Sequence, residues 1–326
     1  GAGPIGLETA AVLAHEGLAV QIVDSGPLGA TIARTFPPHT RFFTSPERLS
    51  LFGLAIAPLH QEKLTGEEYL AYLRQYVATH DLRVDTFTEI LSGARQPVKV
   101  VGRTLSGQRR VYSADTLVLA TGGTDRPRRL GVPGEDLPHV RSHLGDPHRY
   151  AGRRVVIVGG RNSAVESALR CYRVGAHVHL VHRRSHIHER VKFWLRPEVQ
   201  SLLDEGAITG HLPGEVAEIT PEAVVLSDGR RLEADDVVLQ IGYEQDGALF
   251  DMFGVPRDGV RHAPVIDPDT MRAAEDLYVV GTATAGTQDR FEVFIENSHD
   301  HAGRVAAALA GRAAPSPRPA RPIPEV

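Results

Sequence analysis

The chain has almost no cysteine: Cys171 is the only one in 326 residues. One thiol excludes an intrachain disulfide, a CxxC redox pair and a multi-cysteine metal site within a single chain. Lysine is nearly missing too, with Lys63, Lys99 and Lys192 the only three among 36 basic residues. The rest are arginines spread along the whole chain, the mark of a codon-composition bias rather than of a basic arm. With the lysines they stand against 40 acids for a net charge of −4, which argues against a nucleic-acid-coating surface. No apolar run approaches the roughly 20 residues needed to span a bilayer, and no signal peptide is visible. With the lone thiol, these absences predict a soluble cytoplasmic protein with neither nucleic acid nor membrane as partner. The length suggests about two domains at roughly 150 residues each.

What is present is a pattern that occurs twice. Gly1-Ala2-Gly3-Pro4-Ile5-Gly6 runs into a helical stretch, Leu7 to His15, with Gly17 in the position of a C-cap, and then into an apolar strand, Ala19 to Val23, ending in Asp24. A glycine turn of this kind follows a strand, so a strand of about five or six residues is expected ahead of Gly1. Farther on, a buried strand from Arg154 to Val158 leads into Gly159-Gly160-Arg161-Asn162-Ser163-Ala164, a helix from Val165 to Val174 closed by Gly175, and a strand from His177 to Val181. Gly1 to Asp24 and Gly159 to His182 are both separations of 23 positions. Each copy is followed by a matching strand, Ala114 to Gly122 and Ala234 to Gly242, preceded by a hairpin signal at Ser106-Gly107 or Asp228-Gly229. The fold class expected is α/β, with two Rossmann-like dinucleotide-binding domains of three-layer ββα type. The crossings fall in the stretches 131–147 and 242–247, which places residues 146–243 as a domain inserted between a first part, 1–145, and a second part, 244–313. The proline-rich residues 314–326 read as a loose tail.

A glycine-rich turn between strand and helix lets backbone N–H groups and the helix N-terminus approach a pyrophosphate, while an acid at the end of the next strand accepts ribose hydroxyls. Gly1, Gly3, Gly6 and Asp24 supply each part. In the second copy the strand ends in His182-Arg183-Arg184 in place of the acid. A guanidinium pairs with a 2′-phosphate that a carboxylate would repel, which favours NADPH over NADH. A solvated basic turn is the plainer alternative. Arg161 stands where GxGxxA has its second glycine, making the turn less standard. The cluster His177, His179, His182, His186 and His188 lacks a completing carboxylate or cysteine and reads as a solvated, partly nucleotide-facing surface rather than a metal site.

Two nested dinucleotide domains, with Ala120-Thr121-Gly122 after the first and Leu277-Tyr278-Val279-Val280-Gly281 near the end, resemble the two-domain flavoproteins related to thioredoxin reductase. Within them, Phe42-Phe43-Thr44-Ser45-Pro46-Glu47, the Gly159 to Ala164 turn, Val191-Lys192-Phe193-Trp194 and Phe294-Ile295-Glu296-Asn297 are similar to segments of the bacillithiol disulfide reductase branch. Each aromatic among them also reads as ordinary core or interdomain packing. The resemblance implies FAD on the first domain, held by Gly1, Gly3, Pro4, Ile5, Gly6, Asp24, Ser25, Thr44, Ala120, Thr121, Gly122, Gly281 and Thr282. It implies NADPH on the second, held by Gly159, Gly160, Arg161, Asn162, Ser163, Ala164, His182, Arg183 and Arg184. It further implies a helix beginning near Gln288 or Asp289 with its N-terminus toward the flavin.

Two positions depart from the pattern. Ile5 stands where the branch commonly has a cysteine that works with the flavin, and Gly281-Thr282 replaces a Gly-Asp pair. Cys171, on the helix after the second turn, reads as a buried small residue. The resemblance thus implies an NADPH-dependent flavoenzyme that passes electrons to a small disulfide or a small redox protein, with no side-chain acid or base emerging as catalytic and the oligomeric state left open. A ferredoxin or flavodoxin reductase and a nicotinamide-sensing flavoprotein are the alternatives.

Overall fold

The structure, a computed structural model, describes residues 1–58, 62–289 and 292–315. The expected tail lies, from residue 316 on, outside the described residues. The chain divides into two compact units. The first comprises Gly1–Ala33, Thr44–Arg126 and the chain from Tyr243 on; the second comprises Arg34–Phe43 and Pro127–Gly242. The second unit therefore begins some twenty residues before the boundary expected at 146, because Val140–Arg141 pairs as an edge strand with Val237 and Val238.

In the second unit the strand Arg154–Val158 lies at the centre of a five-stranded parallel sheet, between His177–Val181 and Asp236–Leu239, with Thr209–His211 and Val140–Arg141 at the edges. Its side chains alternate. Val155 and Ile157 join the helix Asn162–Arg173 in one core cluster, and Val156 and Val158 join Ile219, Val224, Leu226 and Leu232 in another. The latter four come from an antiparallel meander, Val216–Ile219, Ala223–Leu226 and Arg231–Glu233. A strand covered on both faces must be apolar throughout, which is why Arg154–Val158 has an unbroken valine and isoleucine run after its first residue.

The first unit repeats the plan with shorter strands. Leu277–Val279 runs parallel to Leu117–Leu119. Leu277 and Val279 face Val98, Val100 and Phe250, while Tyr278 and Val280 share a cluster with Ile5 and Leu13 of the helix Pro4–His15 and Val305 of the helix Asp300–Leu309. Val98 and Val100 belong to the meander Thr88–Ala94, Val98–Thr104 and Arg109–Ala114. Both units thus stack helix, sheet and meander, the expected ββα layering. The strand expected over Ala19 to Val23 shortens to Ile22–Val23, since only Ile22 and Val23 find ladder partners, in Val84 and Asp85.

Candidate functional site

In the first unit the three motif glycines meet different surroundings. A Cβ on Gly1 would lie 2.1 Å from the Ala120 carbonyl oxygen, and one on Gly6 would lie 2.1 Å from the Gly1 carbonyl oxygen and 3.1 Å from the Ala120 Cβ. Neither position has room for a side chain. A Cβ on Gly3 would meet nothing within 4 Å, so its open side is where a ligand's backbone-hugging phosphates fit. Gly3 is also the N-cap of the helix Pro4–His15 and supplies no side-chain cap, which leaves first-turn N–H groups for an anion; Pro4 sits at the position where a missing N–H costs nothing. Asp24 holds the turn from below: one carboxylate oxygen accepts from Ala2 N at 2.6 Å and the other from Gly26 N at 2.7 Å. Ser25, beside it, is exposed.

Two further segments gather at this turn. Ala120 packs on Gly1, and Ile5, buried, packs on Gly281, where a Cβ would lie 3.1 Å from that of Ile5. Gly122 and Gly281 have φ of +85° and +71°, conformations that suit glycine. A Cβ on Gly122 would approach the Thr282 hydroxyl at 4.0 Å. The Thr44 and Thr121 hydroxyls are buried with no hydrogen-bond partner among the described residues. Buried hydroxyls are normally satisfied, so two orphans on segments implied to hold FAD fit a polar cofactor. Among the described residues the Thr44 hydroxyl makes no hydrogen bond to the glycine turn.

Sequence reasoning missed two residues here. His301 accepts the Gly281 N–H on Nδ1 at 3.0 Å. Burial pulls its pKa down to about 4, so the ring is neutral at physiological pH and its proton sits on Nε2. Gln245 bonds to both glycine-containing turns. Neither residue has a local sequence signal, because each acts on a turn far away in the chain. Among the described residues no helix begins near Gln288 or Asp289. The Gln288 side chain instead wraps its own loop, accepting from Glu292 N and Val293 N and donating to the Val293 carbonyl, and the next described α-helix is Asp300–Leu309.

In the second unit Gly159, at φ +143°, leaves only 2.3 Å between a Cβ and the Gln240 carbonyl oxygen, and 2.9 Å to the Cβ of Ala164, itself fully buried. Gly160 lies on the His182 ring, where a Cβ would come within 2.4 Å. His182 is therefore a support beneath the turn. Burial, then the neighbouring Arg183 and Arg184, lower its pKa to about 4 and keep it neutral. Arg161 is the N-cap of the helix Asn162–Arg173 with no capping hydrogen bond from its side chain; Ser163 follows in the first turn, and Asn162 accepts the Lys192 N–H at 2.8 Å. Arg183 and Arg184 are exposed just past the strand His177–Val181, where a 2′-phosphate could reach them. His179 and His211 bond to each other at 3.0 Å, and among the described residues no three His, Cys, Asp or Glu side chains gather as a metal site.

Cys171 is fully buried in the core beneath the five-stranded sheet, and burial pushes its pKa up to about 12. At neutral pH almost none of it is thiolate, the reactive form. Among the described residues no helix is long and apolar enough to cross a membrane.

Known proteins resemble this chain over nearly its whole length. It is 31% identical over 319 residues to bacilliredoxin reductase Bdr of Bacillus subtilis, covering 96% of each chain, and 27% identical to a ferredoxin–NADP reductase of Ignicoccus hospitalis over 75% of each. Among solved structures, bacillithiol disulfide reductase Bdr from Bacillus cereus superposes with a TM-score of 0.89 at 31% identity, covering 95% of this chain and 97% of the other. Thioredoxin reductase of T. acidophilum, at 19% identity and a TM-score of 0.70, shares the fold. The pyridine nucleotide-disulphide oxidoreductase family matches residues 1–281, and the chain belongs to that family as an FAD- and NADPH-dependent oxidoreductase.

Proposed function

We propose that this protein uses NADPH to reduce a small disulfide of the bacillithiol type. The observation that carries this reading is the agreement, in sequence and in fold and over both units, with proteins named for bacilliredoxin and bacillithiol disulfide reduction. NADPH gives up a hydride, and the disulfide takes the two electrons with two protons to become two thiols. FAD, when bound, supplies the two-electron relay between them. The chain's own residues bind and orient. Gly1, Gly3, Gly6 and Asp24 hold the adenine-dinucleotide half of FAD; Gly159, Gly160 and the helix Asn162–Arg173 receive the NADPH pyrophosphate, with Arg183 and Arg184 on its 2′-phosphate.

Changing both Arg183 and Arg184 to alanine is expected to lower kcat/KM for NADPH about 10- to 100-fold and leave that for NADH unchanged, since a charge-assisted contact contributes about 1.5–3 kcal/mol. Equal use of NADH and NADPH by the parent would remove the assignment.

Electrons must reach the disulfide without a thiol of this chain, because Cys171 is buried in the second unit and Ile5 offers none. Cys171→Ser is accordingly expected to keep NADPH-dependent reduction within about threefold of the parent, as a core thiol acts as a small apolar group. Stopped-flow reoxidation of the reduced protein by the disulfide, in parent and variant, is the measurement. Loss of that phase in the variant alone would make the thiol catalytic.

A thiol-free route equally suits a one-electron acceptor, and ferredoxin–NADP reductases are among the similar proteins. Steady-state assays with bacillithiol disulfide, ferredoxin and flavodoxin separate the readings. Two thiols released per NADPH consumed is the expected result, and turnover with the electron-transfer proteins alone would overturn it.

A further inference from the structure

Two positive-φ turns of the first unit, at Gly122 and Gly281, share a single side chain. Gln245 follows the short strand Tyr243–Glu244, and its Nε2 donates to the Gly122 carbonyl oxygen at 2.9 Å and to the Ala283 carbonyl oxygen at 2.8 Å. A side-chain amide has two N–H donors, and here each goes to a different turn. One turn carries Thr121 and Gly122, the other Gly281 and Thr282, the segments placed at the flavin above.

The amide is held rigidly. Gln245 N donates to the Thr287 hydroxyl at 3.0 Å. On either side of it, the Glu244 carbonyl accepts Asp125 N at 3.0 Å, and Asp246 N donates to the Asp125 carboxylate at 3.0 Å. The Asp246 carboxylate in turn pairs with Arg126 at 2.6 Å. The second turn is tied at its start as well, since the Gly281 N–H goes to His301 and the Gly281 carbonyl accepts the Thr284 hydroxyl at 2.9 Å. Because a trans peptide is planar, gripping the Gly122 oxygen fixes the direction of the Gly123 N–H on the opposite side. Among the described residues that N–H takes no backbone acceptor, and the neighbouring Thr121 hydroxyl is one of the two buried orphans. A glycine at φ +85° has other peptide orientations within easy reach, so an outside grip is what selects this one.

We propose that Gln245 is a positioning residue for the flavin: by gripping both turns it sets their spacing and aims their free donors, and through them it sets FAD affinity and the flavin midpoint potential. This rests on the first unit holding FAD. Donors aimed at a site where negative charge appears on reduction favour the reduced form, so loosening them lowers the potential.

The test uses the full chain loaded with FAD. Gln245→Leu removes both donors, and Gln245→Glu keeps the shape but offers two carbonyls an acceptor in place of donors. Losing both hydrogen bonds makes the FAD dissociation constant rise at least about tenfold. A tenfold preference lost by the reduced over the oxidised form lowers the potential by about 30 mV for a two-electron couple. Thr287→Val, which removes only the acceptor of the Gln245 backbone N–H, shifts both quantities the same way by less, and supplies the result if the Gln245 variants do not fold. Unchanged FAD affinity and potential in folded variants would overturn the proposal, and so would a lowered melting temperature with both unchanged. A parent chain that takes up no FAD would overturn the flavin reading beneath it; a yellow parent with unshifted variants would overturn the grip alone.

Discussion

Gly6→Ala is expected to weaken FAD retention sharply. The new methyl carbon would sit 2.1 Å from a backbone oxygen of the same turn, that of Gly1, and 3.1 Å from the Ala120 side chain. Neither can swing aside as the tip of a flexible side chain would, because Gly1 and Ala120 are themselves in contact. The helix Pro4–His15 must therefore shift outward, which carries its uncapped N-terminus away from the pyrophosphate. Overpacking costs about 1–3 kcal/mol, and borne by the bound state that cost weakens FAD binding about 5- to 150-fold. Gly3→Ala is the contrasting case. Its methyl meets nothing within 4 Å, so the protein should melt at the parent's temperature while losing FAD affinity, the site being blocked rather than broken. The ratio of flavin to protein absorbance, read beside thermal unfolding, distinguishes the two. A Gly6→Ala protein as yellow and as stable as the parent would remove the turn from the FAD site.

Lys192→Met is expected to destabilise the second unit by about 1–3 kcal/mol, the cost of removing one charged donor from the buried Glu166 carboxylate, which Arg170 still partners. Lys192 is 7% exposed and donates from Nζ to the Arg41 carbonyl at 2.8 Å and to the Glu166 carboxylate at 3.3 Å. Glu166, also 7% exposed, accepts from the Thr40 hydroxyl at 2.9 Å and from Arg170 at 3.1 Å. The network ties the segment Arg34–Phe43 to the helix Asn162–Arg173, and it explains why that segment belongs to the second unit although the chain on either side of it belongs to the first. The double variant Lys192→Met with Glu166→Gln should recover most of the loss. A neutral amide oxygen still accepts from Thr40 and Arg170, and no buried carboxylate is left short of a cation. Urea unfolding midpoints of the parent, single and double variants read this directly. A single-variant loss under about 1 kcal/mol would show that water reaches Glu166 and screens it.

The network also shows where reading the sequence ended. Val191-Lys192-Phe193-Trp194 is legible as a family segment, with packing as its alternative reading. In the structure Trp194 stacks on Phe43 with ring centres 6.0 Å apart, and Lys192 is the buried cation of the group. Nothing near Lys192 in the sequence announces Glu166 or Thr40, which lie 26 and 152 positions away. The same holds for Gln245, which read only as part of a crossing, and for His301. The helix implied near Gln288 failed for a related reason. A glutamine that finds three backbone partners within five residues closes a loop instead of starting a helix.

By itself the sequence determined what local chemistry dictates. The two glycine turns and their helices, the acid ending the first unit's strand and the arginines ending the second's, the hairpins and the ββα plan all follow from residue type at fixed spacing, since backbone freedom at glycine and the two-residue and 3.6-residue periods act over a few positions. Tertiary structure decided everything that depends on a partner far along the chain. It cut the strand after the first helix to the two residues with ladder partners, drew Arg34–Phe43 and the residues from Pro127 into the second unit, and turned His182 into a support beneath Gly160. It also buried Cys171 beyond the reach of chemistry and gave Gln245 two turns to hold. Burial and hydrogen bonding depend on which surfaces meet, and no local pattern specifies a partner more than a hundred residues away.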